Sequence, residues 1–282
     1  MAFDLSKPSL GAAGVAPYTV IYGQAGIGKT TFACMPPGTI VADIERGIPE
    51  RLRNVPRFQV DSMSDLLGLI DQLTTQPHGY THLVIDSVSA LNQRLTDQVC
   101  REQKWLLPDG QLDMGEKGFG AYGRGEKIVT EKFGVLANRA LLLKEKRNVA
   151  VTFLAHVRIA KVRPPDTDEY ARYDLALPAG AIEILTQRAD VVGFISYPIQ
   201  TIKNDANRNA MAKAIGSADA VLYLRSAATH NAKNRFELPG EITIPSGNPG
   251  QGFAEYARRI PFFAPLFQAP TQEVSATPAA AA

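Results

Sequence analysis

Only two cysteines, Cys34 and Cys100, occur in the 282 residues, and no CxxC spacing is present. That excludes a disulfide framework or a cysteine-built zinc site and fits a reducing compartment. Four histidines, His78, His82, His156 and His230, stand without metal-ligand spacing. No run of about 18 apolar residues exists, so no membrane span is expected. The start carries Asp4 and Lys7 with no apolar run behind them, so a signal peptide is not expected. Charge of one sign is not in excess either: the net charge is +2. Such a balance does not announce a nucleic-acid binder, although net charge averages over faces and a local basic surface is compatible with it. What the chain does have is a 45% hydrophobic content, enough for one large domain with a full core.

Residues 1–16 are rich in Gly, Ala, Ser and Pro without a period and read as a flexible N-terminal arm. Residues 268–282 are low in complexity and are expected to be a disordered tail. Residues 17–267 form the expected domain. Within it, Tyr18–Tyr22, Thr39–Ile44, Arg57–Val60, His82–Ile85 and Val149–Leu154 read as strands, most of them apolar throughout. Ser64 can cap a helix over Asp65–Leu73, and Val129, Phe133, Leu136, Ala140 and Leu143 give a later helix one apolar face. Residues 106–125 and 157–179 read as two long loops, the first for its glycines and the second for its prolines and polarity. Strands are expected again near Val191–Tyr197, Ala220–Arg225 and Phe236–Leu238. Strands alternating with helices predict an α/β fold: a mostly parallel twisted sheet flanked by helices, with antiparallel strands added at the C-terminal end.

The segment Gly23-Gln24-Ala25-Gly26-Ile27-Gly28-Lys29-Thr30 is a GxxxxGK[ST] motif, framed by a strand before and a helix after. Glycines at these positions let backbone N–H groups face phosphate oxygens, and Lys29 can reach the terminal phosphates. Thr30 offers a hydroxyl to Mg²⁺, and Thr31 continues the phosphate-binding segment. Leu83-Val84-Ile85-Asp86 is a buried strand that delivers a carboxylate at its end, a second Mg²⁺ contact. Together these predict binding of a nucleoside triphosphate, with ATP and Mg²⁺ as the expected pair. The spacing from Lys29 to Asp86 favours folds with strands inserted between the two motifs. Glu45, at the end of another strand, can orient and polarise an attacking water.

These segments resemble the RecA-like recombinase core. Asp86-Ser87-Val88-Ser89-Ala90-Leu91 and Val41-Ala42-Asp43-Ile44-Glu45 are similar to two of its segments, and the resemblance implies a general-base role for Glu45. It implies a γ-phosphate sensor at His156, where the family carries a polar residue and RecA itself a Gln. Lys233-Asn234-Arg235 resembles a segment whose two cations reach the neighbouring subunit's nucleotide, which implies a homo-oligomer, ring or filament, with ATP at subunit interfaces. The two long loops occupy the places of the family's DNA-binding loops. Lys117, Phe119, Tyr122 and Arg124 in the first, and Arg158, Lys161, Arg163 and Arg172 in the second, are the candidate single-stranded DNA contacts. The chain looks closest to compact phage-encoded annealing proteins with this core, which implies a cytoplasmic location, in the host cell if phage-encoded. A DNA-stimulated ATPase of single-strand annealing or pairing is thus the leading expectation. A P-loop small-molecule kinase, a helicase and a nucleotide-gated assembly module are the alternatives.

Overall fold

The computed structural model describes residues 14–202 and 213–267. Most of the expected arm and all of the expected tail therefore lie outside the described residues. Residues 14–16 of the arm are tied down: the Ala16 amide donates to Asn148 Oδ1 at 2.8 Å, and Asn148 Nδ2 donates to the Gly14 carbonyl.

The chain runs β1 (Tyr18–Gly23), α1 (Lys29–Ala33), β2 (Thr39–Asp43), β3 (Arg57–Gln59), α2 (Met63–Thr75), β4 (His82–Asp86) and α3 (Val88–Glu102). There follow α4 (Arg124–Arg147), β5 (Ala150–Val162), β6 (Tyr170–Leu175), α5 (Ala179–Arg188) and β7 (Val191–Ser196). The last part holds β8 (Ile199–Ile202), β9 (Lys213–Gly216), β10 (Ala220–Tyr223), β11 (Lys233–Asn234), β12 (Glu241–Ile244) and α6 (Pro249–Arg258). The main sheet has the order β12-β10-β7-β1-β5-β4-β2-β3. It is parallel from β7 to β3, while β10, β11 and β12 join antiparallel. The fold is thus the mixed α/β architecture that the alternation of strands and helices predicts.

The central strands are buried on both faces, which is why they read as continuous apolar runs. One face packs on α2 to α5 through residues such as Leu66, Ile70, Phe133, Leu136 and Phe153. The other packs on α1 and α6 through Phe32, Phe253 and Tyr256. At the start of β4 the fully buried His82 is held between Thr39 Oγ1 and Thr152 Oγ1, at 3.2 and 2.8 Å. Burial lowers its pKa to about 3. The ring is then neutral in the folded chain but takes a proton in the unfolded chain below its ordinary value near 6.5. Its contribution is present above that value and lost as pH falls towards 3. Unfolding by urea at stepped pH should show stability dropping by about 1.4 kcal/mol per unit below pH 6 from this group, with a shallower slope in His82→Leu.

Four expectations need correction. The α2 cap is Ser62, whose hydroxyl accepts from the Asp65 amide, and not Ser64; its extended backbone places it just before the first helical turn. Residues 106–125 are a packed segment rather than an open loop. Its backbone closes on itself through bonds such as Phe119 N to Asp113 O. Glycine is required there by contact: a Cβ on Gly118 would meet the Asp113 carbonyl oxygen at 2.0 Å, and one on Gly125 the Phe119 ring at 2.4 Å. Residues 157–179 are mostly a hairpin, because β5 continues past the sheet and pairs antiparallel with β6 from Val157↔Leu175 to Val162↔Tyr170. The strand expected at Phe236–Leu238 is replaced by β11, two residues that pair with β7. Sequence reading also missed β12 and α6, which cover the far end of the sheet.

Candidate functional site

Register brings the motif residues to one edge of the sheet. Gly23 at the end of β1 pairs with His156 on β5, Asp86 at the end of β4 pairs with Leu154, and Asp43 at the end of β2 pairs with Asp86. β5 therefore separates the strand that feeds the glycine-rich loop from the strand that carries Asp86. Crevices at the carboxyl ends of parallel strands are where such sheets bind ligands.

The loop from Gln24 to Gly28 turns β1 into α1. Gly28 sits at φ 98°, a left-handed conformation that favours glycine, and serves as the helix N-cap. Among the described residues, no hydrogen bond occupies the backbone N–H groups of Ala25, Gly26, Ile27 and Gly28. The Lys29 ammonium lies under the loop and donates to the Gly23 and Gln24 carbonyls at 3.0 and 2.8 Å. Burial lowers its pKa, and Asp86 and Glu45 oppose that shift. The Thr31 hydroxyl is buried without a partner.

Thr30 Oγ1 donates to Asp86 Oδ2 at 2.7 Å, so the two expected metal ligands touch. Burial pushes the Asp86 carboxyl up to about 6, against the Thr30 hydrogen bond and with help from nearby Glu45. A buried carboxylate beside further negative charge is a place that a hard cation relieves, and hydroxyl and carboxylate oxygens suit Mg²⁺. Among the described residues no three His, Cys, Asp or Glu side chains form a metal cage.

Glu45 is placed by the backbone: the amides of Ile44 and Glu45 both donate to the Asp86 carbonyl, at 2.7 and 3.2 Å. Arg94 holds the same turn from beneath, donating to the Ile44 carbonyl at 2.6 Å and pairing with Asp61. His156 Nε2 donates to Glu45 Oε1 at 2.7 Å, and the Ser87 hydroxyl donates to the same oxygen. Both bonds fall on Oε1, and among the described residues none is made to Oε2. The His156 bond holds the Glu45 carboxyl below its ordinary value, against its partial burial and with Ser87 adding to the effect. His156 is itself fixed, its amide donating to Ser89 Oγ at 2.9 Å.

Sequence reading missed the roles of Ser87, Ser89 and Arg94. Their partners lie 42, 67 and 50 residues away. The only local signal was the proximity of the two serines to Asp86. Ser87 also caps α3 by accepting from the Ala90 amide. Ser87→Ala should therefore cost about 1 kcal/mol in a denaturant titration. It should also let Glu45 titrate nearer its ordinary value, visible in a carboxyl NMR titration.

The other candidate residues are scattered. Lys233 donates to the Thr186 and Gln187 carbonyls at the end of α5, at 3.1 and 2.7 Å. Arg235 pairs with Asp190 at 3.2 Å. Lys233 lies beside Val192 of β7, three residues below the Ile195 that faces Gly23, which is about 10 Å down the strand. Within one chain these cations are not brought to the phosphate loop.

Of the first loop, Lys117 and Tyr122 are exposed, and Tyr122 has φ 48°. Phe119 is buried and meets Trp105 edge-on at 6.3 Å, so the expectation that it stacks on bases is corrected: its ring is already packed. The Arg124 guanidinium lies 5.7 Å from the Trp105 ring centre. On the hairpin, Arg158 is exposed opposite Asp174. Lys161 and Arg163 both pair with Glu169, and Arg172 lies 3.7 Å from Asp174.

A mostly parallel α/β domain with a GxxxxGKT loop at its β1–α1 turn and a strand-end Asp touching the Thr is a P-loop NTPase-type domain. A family model described as an AAA domain matches residues 17–236, and the chain belongs to that family. Comparison with curated proteins gives no match. No helix among the described residues is long and apolar enough to cross a membrane.

Proposed function

We propose that the chain is an ATPase with a RecA-like site that binds single-stranded DNA and promotes its annealing or pairing as an oligomer. The observation that carries the hydrolytic part is the arrangement at one sheet edge: Thr30 on Asp86, and Glu45 held by His156 and Ser87. The free N–H groups of the loop and Lys29 hold phosphate oxygens. Thr30 and Asp86 would hold Mg²⁺, which when bound offsets the charge of the phosphates. Glu45, kept ionised by its two donors, orients a water through Oε2 and accepts its proton. His156 supplies a donor beside it that can turn to a phosphate oxygen.

The DNA part rests on the family resemblance and on position. β5 carries His156 and continues into the hairpin with Arg158 and Lys161, so the basic hairpin grows out of the site. Carboxylates pair with three of its four cations, leaving Arg158, Tyr122 and Lys117 as the contacts most open to a strand. Oligomer formation supports a role for Lys233 and Arg235 only if a neighbour releases them from Gln187 and Asp190. Single-stranded DNA should raise the ATPase rate, and Arg158→Ala should blunt that rise while leaving the DNA-free rate unchanged. A rate and an assembly state both indifferent to saturating single-stranded DNA would remove the DNA assignment. ATP turnover that appears only with a small acceptor would favour a kinase instead.

A further inference from the structure

A cleft of about 610 Å³ opens between the β10–β11 turn and the start of β12, and it shares no residue with the phosphate loop or with Glu45, Asp86 and His156. Its floor is aromatic. The Tyr223 and His230 ring centres lie 4.9 Å apart, and His230 stacks on Phe194 at 5.2 Å, as Tyr173 of the hairpin does. Both His230 nitrogens are engaged, Nδ1 with the Thr229 hydroxyl and Nε2 with the Arg225 carbonyl, so the ring is fixed in place. Two opposite charges stand at the rim. Glu241 on β12 lies directly across from Tyr223, which puts both side chains on one face of the sheet. A Cβ on Gly240 would sit 3.6 Å from Arg225 Nε and 3.8 Å from its Cζ, so the guanidinium lies along the backbone that leads into Glu241. Arg225 and Glu241 are both exposed, and among the described residues neither side chain makes a hydrogen bond or an ion pair.

The volume lies within the roughly 300–1,000 Å³ of pockets that hold small ligands. An aromatic floor suits a flat ring, and a nucleobase stacks on such a floor. The rim adds a demand: the same ring must bring acceptors to Arg225 and donors to Glu241. Guanine alone among the bases carries two adjacent acceptors, O6 and N7, beside two adjacent donors, N1–H and N2–H. A guanidinium takes the first pair with two parallel bonds, and a carboxylate accepts from the second pair in the same way. We propose that this cleft is a guanine subsite, separate from the phosphate loop, in which the base stacks on Tyr223 and is read between Arg225 and Glu241. The base can arrive in a single strand or as a free nucleotide. Position favours the strand, because the Tyr173 amide of the hairpin donates to the Thr229 carbonyl at 2.7 Å and the cleft therefore adjoins the basic hairpin. The strand source rests on the DNA reading, and the guanine chemistry does not.

The test is fluorescence anisotropy of the full chain with labelled oligothymidine and with the same strand carrying one central dG or one central dA, beside calorimetric titration with GMP and AMP. The dG strand should bind about tenfold or more tighter than the other two, the range of a bidentate base contact. Arg225→Ala and Glu241→Ala, both at exposed positions, should each erase that preference and leave oligothymidine affinity near that of the unaltered chain. A preference for GMP over AMP that Glu241→Ala erases, with no preference among the strands, assigns the same subsite to the free nucleotide. No preference for guanine in either form overturns the subsite, and so does a preference that survives either substitution. An equal loss for all three strands in the variants means that the cleft does not read the base, and overturns it as well. If no strand binds at all, the DNA reading fails and the GMP titration alone decides the cleft.

Discussion

Glu45→Gln should bind nucleotide as tightly as the unaltered chain and hydrolyse it about 10²–10⁴-fold more slowly, the range lost with a positioned general base. The amide keeps the size of the carboxylate, and its oxygen can still accept from Ser87 and His156. Only the ability to take a proton from water goes. Single-turnover hydrolysis measured beside equilibrium binding separates the two effects. A variant with unchanged turnover would show that Glu45 does not act on the water, and one with lost binding would make the residue part of the phosphate cradle instead. The low pKa of Glu45 also fixes a pH sign: Glu45 stays ionised on acidification past the ordinary carboxylate range, so an acid loss of activity should follow Asp86 rather than Glu45.

Asp86→Asn should make the protein more stable and less useful. The Asp86 carboxyl is raised to about 6, chiefly by burial. A raised carboxyl contributes nothing unfavourable while both folded and unfolded chains hold the proton. The penalty builds as pH rises from the ordinary Asp value near 3.8 to the folded value near 6, because there the unfolded chain gives up its proton and the folded chain keeps it, and it is constant above that. Two units above an ordinary Asp correspond to at most about 3 kcal/mol at neutral pH. The amide removes that charge and still accepts from Thr30. Thermal melts should therefore rise by several degrees at pH 7.5, by about half as much at pH 5, and hardly at all below about pH 4. Mg²⁺-dependent nucleotide binding should be lost in the same variant. In the unaltered chain, Mg²⁺ dependence should fade as pH drops below about 6, when Asp86 takes a proton. A melting temperature that falls at pH 7.5 would mean that Asp86 is a structural anchor rather than a strained ligand.

How much of this was legible in the sequence follows from the range of each interaction. The glycine-rich loop, Lys29, Thr30 and the apolar strand ending in Asp86 are local patterns, and the structure brings them together. The α/β class was legible for the same reason, since apolar runs and helical spacing are written in adjacent residues. His156 came from resemblance, and Glu45 from resemblance added to its place at a strand end, but no local pattern could show that one donates to the other across 111 residues. Errors fell where one composition permits two structures. The glycines of residues 115–125 suit a loose loop as well as close contact, and only the Asp113 and Phe119 neighbours decide. The stretch after His156 mixes exposed and half-buried positions on a hairpin that leaves the sheet, so it lacks the apolar signature of the core strands. Phe119, set among cations and glycines, looked like a surface aromatic because its partner Trp105 is separated from it by a turn.

The row of strand ends has a thermodynamic meaning beyond chemistry. Gly23, Asp43, Asp86 and His156 come from four strands whose order in space, β1-β5-β4-β2, differs from their order along the chain. They adjoin only when the parallel sheet is closed, so the unfolded chain has no partial site with which to hold a ligand. Any molecule that spans the row is a staple across the whole sheet. At a hundred times its dissociation constant it adds about 2.7 kcal/mol to the folded state. Substrate supply then sets the lifetime of the folded chain as well as its turnover, and a cell short of nucleotide would hold this protein closer to unfolding.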